Sequence, residues 1–458
     1  MLFHTWTFVL FFLLAYGVYL GVRNTPLREP WLLTASYVFY GWWNPLYLLL
    51  ILYATTVDYL AVVGMGRTGR RKAFLVLSVV NNLTMLGFFK YGAFVVRNVN
   101  ALLAQAGVGW ALPAPGVELP VGISFFVFQS MSYTIDCYRG RIPAEPSFVR
   151  YAAFVALFPQ LVAGPIERAG NLLPQLRRAQ TIRLADVAEG ASMFVVGLFK
   201  KVALADYLGL YVASIYDSPA GKSASALLLA AFVFAWQIYF DFGGYTDMAR
   251  GIGRMMGIRL MLNFRNPYLA SSLKDFWGRW HISLSTWFRD YVYVPLGGNR
   301  SRTLLTYRNM VLTMLISGLW HGAKWTFVLW GAWHAMGRVL TRRLEGTAFY
   351  RRRVPGPVKQ ALVFAFVTFG WIFFAAHTPN DAWVIVRGIV TGPWTDPRCP
   401  AMMLVMIGLV WAYQFAYESR ARRVLELAPV RVALVAAMLI YLAVVPGGKA
   451  KPFIYFQF

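Results

Sequence analysis

The chain has 458 residues, of which 58% are hydrophobic, 17% aromatic and only 14% charged, which excludes an ordinary soluble domain and points to a polytopic membrane protein. Its net charge of +25 would suit a nucleic-acid binder, but the basic residues sit in short clusters between apolar runs, the pattern of cytoplasmic membrane loops. The bilayer is the expected partner and nucleic acid is not.

In chain order, Phe3–Val22 carries no formal charge and is long enough to cross a hydrocarbon core about 30 Å thick. It lacks a basic leader and a small-residue cleavage site, so it reads as a retained first helix. Trp31–Trp43 and Leu46–Val57 are shorter and are taken as crossings. Further runs are Ala73–Phe89, Val121–Ile135, Tyr151–Pro165, Ala226–Phe240, Gln360–Ala376, Ala401–Tyr417 and Val432–Pro446. Several fall short of the roughly 20 residues that a perpendicular helix needs, so they draw on their flanks, thin the bilayer or stop midway. An all-α protein with about 11 transmembrane helices plus re-entrant or interfacial helices is expected.

Arg67, Arg70, Arg71 and Lys72, then Arg139 and Arg141, place their loops in the cytoplasm and the Asn98–Glu118 loop outside. Similar clusters follow at Arg177, Arg178 and Arg183, at Arg342, Arg343 and Arg351 to Arg353, and at Arg420, Arg422 and Arg423. Cys137 and Cys399 have no redox or metal-like spacing, so neither a disulfide framework nor a metal site is expected. No repeat with matched Gly/Pro-broken segments is visible, which speaks against an inverted-repeat transporter.

The stretch from Gln237 to Arg302 breaks the membrane rhythm. Asp241 and Asp247, flanking Gly243 and Gly244, suit a capped helix break. Lys274, Asp275, Arg279, His281, Arg289 and Asp290 then crowd into one segment interleaved with Phe276, Trp277, Trp280, Trp287 and Phe288, a load that no lipid-facing span carries. Trp277, Trp280, Leu284 and Phe288 make an apolar stripe at helical spacing, which leaves an interfacial amphipathic helix or a re-entrant one. Gly251–Gly257 is one residue off the dinucleotide fingerprint, Gly221-Lys222-Ser223 lacks the rest of a P-loop, and neither HExxH nor GxSxG occurs.

Trp320-His321-Gly322 ends the apolar run Met310–Leu319. A charged side chain at the bilayer centre costs roughly 2.5 kcal/mol or more, so an imidazole at that depth implies a polar cavity and a task. His334 is expected to be packed and hydrogen-bonded, with a direct role as the alternative. His4 and His377 fall at expected helix ends.

Asn266–Tyr291, with its run Phe276-Trp-Gly-Arg-Trp-His-Ile-Ser-Leu-Ser285, followed by Pro295–Arg300 and Leu319–Ala323, resembles the bacterial membrane-bound O-acyltransferase family, and within it the alginate O-acetyltransferase subfamily. Ala35–Trp43, Pro120–Phe126, Leu161–Ile166, Tyr239–Ala249 and Trp330–His334 extend the resemblance over most of the first 340 residues or so. It implies a single integral-membrane acyltransferase domain over residues 1–458, with the catalytic core near 235–340. It further implies tilted helices around a thinned centre, with His321 deep in a central channel open to both faces and His281 as the second residue of the site. The implied reaction moves acetyl from cytoplasmic acetyl-CoA, a co-substrate rather than a bound cofactor, towards an extracytoplasmic polysaccharide, with a separate SGNH-type acetyltransferase outside. The implied location is the bacterial cytoplasmic (inner) membrane.

Acyl transfer from a thioester to a hydroxyl needs a base, oxyanion stabilisation and exclusion of water. His321 suits the base, since imidazole titrates near neutral pH. His281 suits polarisation of the carbonyl or orientation of the acceptor, and Gly322 would admit substrate to the backbone. Candidate substrate- or donor-binding residues are Trp320, Gly322, Lys274, Arg279, Ser285, Arg289, Asp290, Asn299, Arg300 and His334. The alternatives are transfer of a D-alanyl group from a carrier protein to teichoic acid, and, in another class, a transporter or flippase.

Overall fold

The computed structural model describes residues 1–445 apart from Ala163 and Ser301. Pro446, which ends the last apolar run, and Ala163 of the Leu161–Ile166 string therefore lie outside the described residues. Every described element is helical, as lipid demands of a chain whose backbone groups must be satisfied internally.

The chain forms two compact units, Met1–Ala191 with Ala249–Met261, and Ser192–Met248 with the chain from Leu262 onward. The first contains α1 (Trp6–Val22), α2 (Arg28–Gly41), α3 (Leu46–Arg67), α4 (Arg71–Leu86), α5 (Gly92–Gln105), α6 (Ile123–Tyr138), α7 (Phe148–Ala156), α8 (Phe158–Leu161), α9 (Ala169–Arg177) and the start of α10 (Leu184–Phe199). The second contains α11 (Asp206–Tyr216), most of α12 (Ala224–Met255), α13 (Leu273–Trp277), α14 (Ile282–Phe288), α15 (Thr303–His321) and α16 (Trp325–Leu344). It continues with α17 (Ala348–Arg353), α18 (Gly356–Ala375), α19 (Pro379–Thr391), α20 (Ala401–Tyr417), α21 (Arg422–Leu425) and α22 (Ala428–Val444).

Among the described residues, four stretches are long and apolar enough to cross a membrane: α3, α12, α18, and Arg71–Gln105, where α4 passes through a wide π-turn at Gly87–Tyr91 into α5. Shorter apolar helices, α1, α20 and α22, have 17 residues each, so the expected count of about 11 crossings stands unconfirmed. The apolar window of α12 is 78% buried against 22% in Arg71–Gln105, which makes α12 a helix wrapped in protein. The run Tyr151–Pro165 is not one crossing helix. It breaks at Leu157 into the nine-residue α7 and the four-residue α8, both buried, and Ser36 Oγ accepts the freed Phe158 amide at 3.1 Å.

In the first unit, α3, α4, α6 and α7 meet around Asp58, a fully buried carboxylate. It accepts from Ser78 Oγ at 2.6 Å, from Asn82 Nδ2 at 2.8 and 2.9 Å, and from Ser130 Oγ, which also bonds Tyr151 Oη. Burial makes each of these bonds expensive to leave unmade, about 1–3 kcal/mol apiece. Asp58→Leu should therefore lower thermal stability by several times the loss in Asp58→Asn, which keeps an acceptor oxygen; equal melting of the two variants would contradict this account. Arg177, grouped above with topology-setting arginines, has a protein partner as well: with Arg150 it clamps the buried Glu145 carboxylate at 2.9 and 2.7 Å.

In the second unit, the expected break at Asp241–Asp247 is absent, because α12 runs through it without interruption. The glycines serve a close helix crossing instead: a Cβ on Gly244 would lie 2.6 Å from the Gly197 carbonyl oxygen, and one on Gly197 would lie 2.5 Å from that of Gly244. The aspartates are ion-paired rather than capping, Asp241 with Lys201 at 2.6 Å and Asp247 with Lys200 at 2.7 Å. Paired charges of this kind are what makes ionisable residues tolerable in a membrane helix. Gly318 and Gly331 play the same part between α15 and α16, with the Phe327 and Met314 carbonyls where side chains would be.

Candidate functional site

The polar stretch from Leu262 to Arg302 forms the short helices α13 and α14, preceded by a 3-10 turn at Pro267–Leu269 and followed by a π-turn at Arg289–Tyr293, rather than one amphipathic helix. Ser272 caps α13 by accepting the Asp275 amide at 3.0 Å, and the chain then turns through Gly278 to His281. His281 adopts φ +41°, a left-handed conformation uncommon outside glycine and found mostly where the surroundings impose it. Here Asn263 imposes it. Its carbonyl takes the Ile282 amide at 2.9 Å, and its buried side-chain oxygen takes the Ser283 amide at 3.2 Å and the Ser283 hydroxyl at 2.6 Å. Sequence reasoning missed Asn263, since an isolated asparagine eighteen residues upstream carries no pattern signal.

His321 is the last residue of α15 and is buried. Its ring lies edge-on to Trp320 at 5.1 Å, Trp330 at 5.0 Å and Phe374 at 5.2 Å between centroids. The Trp320 ring also lies 6.0 Å from the His281 ring, and Phe242 lies edge-on to His281 at 4.6 Å. The two histidines expected to form the site therefore both lie near one indole inside an aromatic enclosure. Trp330 continues the array to His334 at 4.8 Å, and Trp277 lies 5.1 Å from His334. His334 is fully buried as expected, but both of its ring nitrogens lack a hydrogen-bond partner among the described residues.

Gly322 is set by packing. A Cβ there would run into the Phe327 ring, which explains the glycine without invoking substrate.

Arg279, Arg289 and Asp290 among the charged candidates already have protein partners. Arg279 Nε donates to Asp275 at 2.8 Å and its Nη1 to Glu418 at 3.3 Å, an acceptor supplied by the segment after α20. Arg289 donates to Asp290 at 2.7 Å, and this hydrogen bond raises the guanidinium above its ordinary value. Ser285 Oγ donates to the Trp280 carbonyl at 3.1 Å. Asn299 Oδ1 accepts from Tyr293 Oη at 2.6 Å and from Arg342 Nη1 at 2.9 Å. Lys274 and Arg300 are exposed. Thus His281, Trp320, His321 and His334 come together through aromatic contacts, and Arg279, Arg289, Asp290, Asn299 and Arg300 do not share them. Phe374 and Trp330 complete the enclosure; Phe374 comes from the apolar C-terminal third, where one phenylalanine among many gives no sign of its role.

Chemically, the enclosure offers two buried imidazoles walled by aromatic rings, and shielding from water strengthens any charge interaction made inside it. The family model of the membrane-bound O-acyltransferases matches residues 124–377, a span holding all of these groups. A probable alginate O-acetylase of Azotobacter vinelandii is 44% identical over 373 residues, 80% of this chain and 74% of the relative. A probable alginate O-acetylase of Pseudomonas aeruginosa is 42% identical over 84% of this chain and 74% of its own, and a peptidoglycan O-acetyltransferase of Helicobacter pylori is 34% identical over 85% and 80%. With that match across the histidine enclosure and most of the length, the chain belongs to the membrane-bound O-acyltransferase family and is an O-acyltransferase.

Proposed function

We propose that this protein O-acetylates an extracytoplasmic polysaccharide, alginate or a related exopolysaccharide, using acetyl-CoA from the cytoplasm. The observation that carries the reading is the shared Trp320 wall, with His321 at 5.1 Å and His281 at 6.0 Å from the same ring. The likeness to O-acetylases of two different cell-surface polymers supports acetyl as the group transferred.

In this reading His321 takes the proton of the acceptor hydroxyl as its oxygen attacks the thioester carbonyl. His281, held by Asn263, polarises that carbonyl. The carbon–sulfur bond then breaks, and the thiolate leaves with the proton that His321 returns. Trp320, Trp330 and Phe374 keep water from competing for the acyl group. His334 stands one indole further on and belongs to the same array. A separate SGNH-type protein outside the membrane completes delivery to the polymer, in a bacterial cytoplasmic membrane.

The test is reconstitution of the purified protein in nanodiscs together with its SGNH-type partner, labelled acetyl-CoA and an oligouronate acceptor, beside parallel reactions supplied with a D-alanyl carrier protein. Acetyl ester on the saccharide, dependent on acetyl-CoA, is the expected product. Transfer from the charged carrier alone, or solute movement into liposomes with no acyl donor, would replace this reading with one of its competitors.

A further inference from the structure

The first unit holds a pair of reactive groups of its own. Lys90 Nζ donates to Ser124 Oγ at 3.1 Å. Lys90 is half-buried on the wide π-turn Gly87–Tyr91 inside the 35-residue apolar stretch Arg71–Gln105. A lysine within an apolar membrane helix marks a functional site by default, and π-turns are frequent at such sites. Ser124 is buried in the first turn of α6, the end of a helix that carries partial positive charge.

The backbone is built to hold Ser124 there. Gly122 just before it has φ +76°, and a Cβ would lie 2.7 Å from the Leu161 carbonyl oxygen, so no other residue fits. The pair also has a defined depth. Arg71 Nη2 donates to the Cys137 and Tyr138 carbonyls at 3.2 and 2.9 Å, which ties the basic ends of α4 and α6 together. Lys90 lies nineteen residues along the helix from Arg71, about 28 Å at 1.5 Å per residue, which is roughly the thickness of the hydrocarbon core. With the Arg67–Lys72 end in the cytoplasm, the pair sits at the level of the outer face.

We propose that Lys90 and Ser124 form a serine–lysine dyad that carries an acyl group as a serine ester near the extracytoplasmic face. Neutral Lys90 takes the Ser124 hydroxyl proton while Oγ attacks the carbonyl carbon of an acyl thioester or activated ester. The carbon–oxygen bond to Ser124 forms, the bond to the leaving thiol or alcohol breaks, and the leaving group takes the proton from Lys90. A sugar hydroxyl reverses the sequence: its proton goes to Lys90, its oxygen attacks the acyl-serine, and Ser124 departs with the proton. The first turn of α6 stabilises the oxyanion in both halves.

The identity of the acyl group rests on the acetyl-transfer reading above, so the experiment uses two donors. Full-length protein in nanodiscs is incubated without acceptor, either with radiolabelled acetyl-CoA or with p-nitrophenyl acetate, then quenched, digested and mapped. Label is expected on the peptide containing Ser124, removable by hydroxylamine, and lower by roughly 10²-fold or more in Ser124→Ala and in Lys90→Arg. Lys90→Arg keeps an N–H donor able to hydrogen-bond Ser124 but cannot act as the base, so labelling at the wild-type level in that variant overturns the dyad and leaves a structural contact. Should Lys90→Arg fail to fold by thermal melting, Ser124→Cys carries the test: the label must move to sulfur, and a label found elsewhere overturns the proposal. Labelling of Ser124 by the ester but not by acetyl-CoA sustains the dyad and removes acetyl-CoA as donor. Acetyl transfer to a saccharide with no labelled Ser124 from either donor removes the dyad and leaves the transferase reading standing.

Discussion

His321→Gln should lower acetyl transfer by about 10²–10⁴-fold while the protein still folds, a loss of about 3–5 kcal/mol of transition-state stabilisation. Glutamine fills nearly the same volume against Trp320, Trp330 and Phe374, which enclose the ring at 5.0 to 5.2 Å, but it cannot take a proton near neutral pH. His321→Ala should show the same catalytic loss together with a lower melting temperature, because it opens a cavity among three aromatic faces. The two variants separate chemistry from packing: the loss common to both belongs to the base, and the extra instability of alanine belongs to the enclosure. The effect should fall on kcat, since a general base acts in the transition state and contributes little to ground-state binding. Transfer within threefold of wild type in His321→Gln would remove the imidazole from the mechanism. The same substitution at His281 should cost less in kcat if His281 only polarises the carbonyl. His281→Gly should then keep the backbone, since φ +41° suits glycine, and lose only the ring.

The histidines were legible because a titratable group at the end of an apolar run is anomalous on cost alone, and because the surrounding strings carry a family resemblance. The enclosure around them was not. Trp330 and Phe374 lie nine and fifty-three residues beyond His321 in sequence, and nothing in a run of apolar and aromatic residues says which ring will face an imidazole. Charged residues were only half legible. Asp275 and Asp290, which pair with Arg279 and Arg289, are near them in sequence, whereas Glu418, the second partner of Arg279, lies far along the chain and gives no local signal. The glycines of α12 misled because a Gly-Gly step flanked by aspartates is the usual mark of a break. Only the packed structure shows that Gly244 faces the backbone of Gly197, and that the aspartates have lysine partners on the neighbouring segment. Local rules describe a helix alone; in a membrane bundle the same residues are chosen for the helix beside it.

That point sets the second large effect, at Gly318. The residue lies one helical turn before His321 on α15, and a Cβ there would overlap the Phe327 carbonyl oxygen of α16. Backbone cannot swing aside as a side chain can, so Gly318→Ala must push α15 and α16 apart, and Gly318→Leu more so. Overpacking of this kind costs about 1–3 kcal/mol, and the melting temperature should fall accordingly. Activity should fall further than stability does. His321 rides on α15 and Trp330 on α16, so separating the helices moves the base relative to its wall, and a displacement of about 1 Å is enough to cost roughly 10²-fold. Gly17 on α1 supplies the control, because nothing lies within 4 Å of a Cβ built there. Gly17→Ala should be neutral or raise stability by up to about 1 kcal/mol through helix propensity, with transfer unchanged. If Gly318→Ala instead melts and turns over as Gly17→Ala does, α15 and α16 do not approach backbone to backbone at Gly318. The geometry of the His321 enclosure, which depends on that approach, would then have to be redrawn.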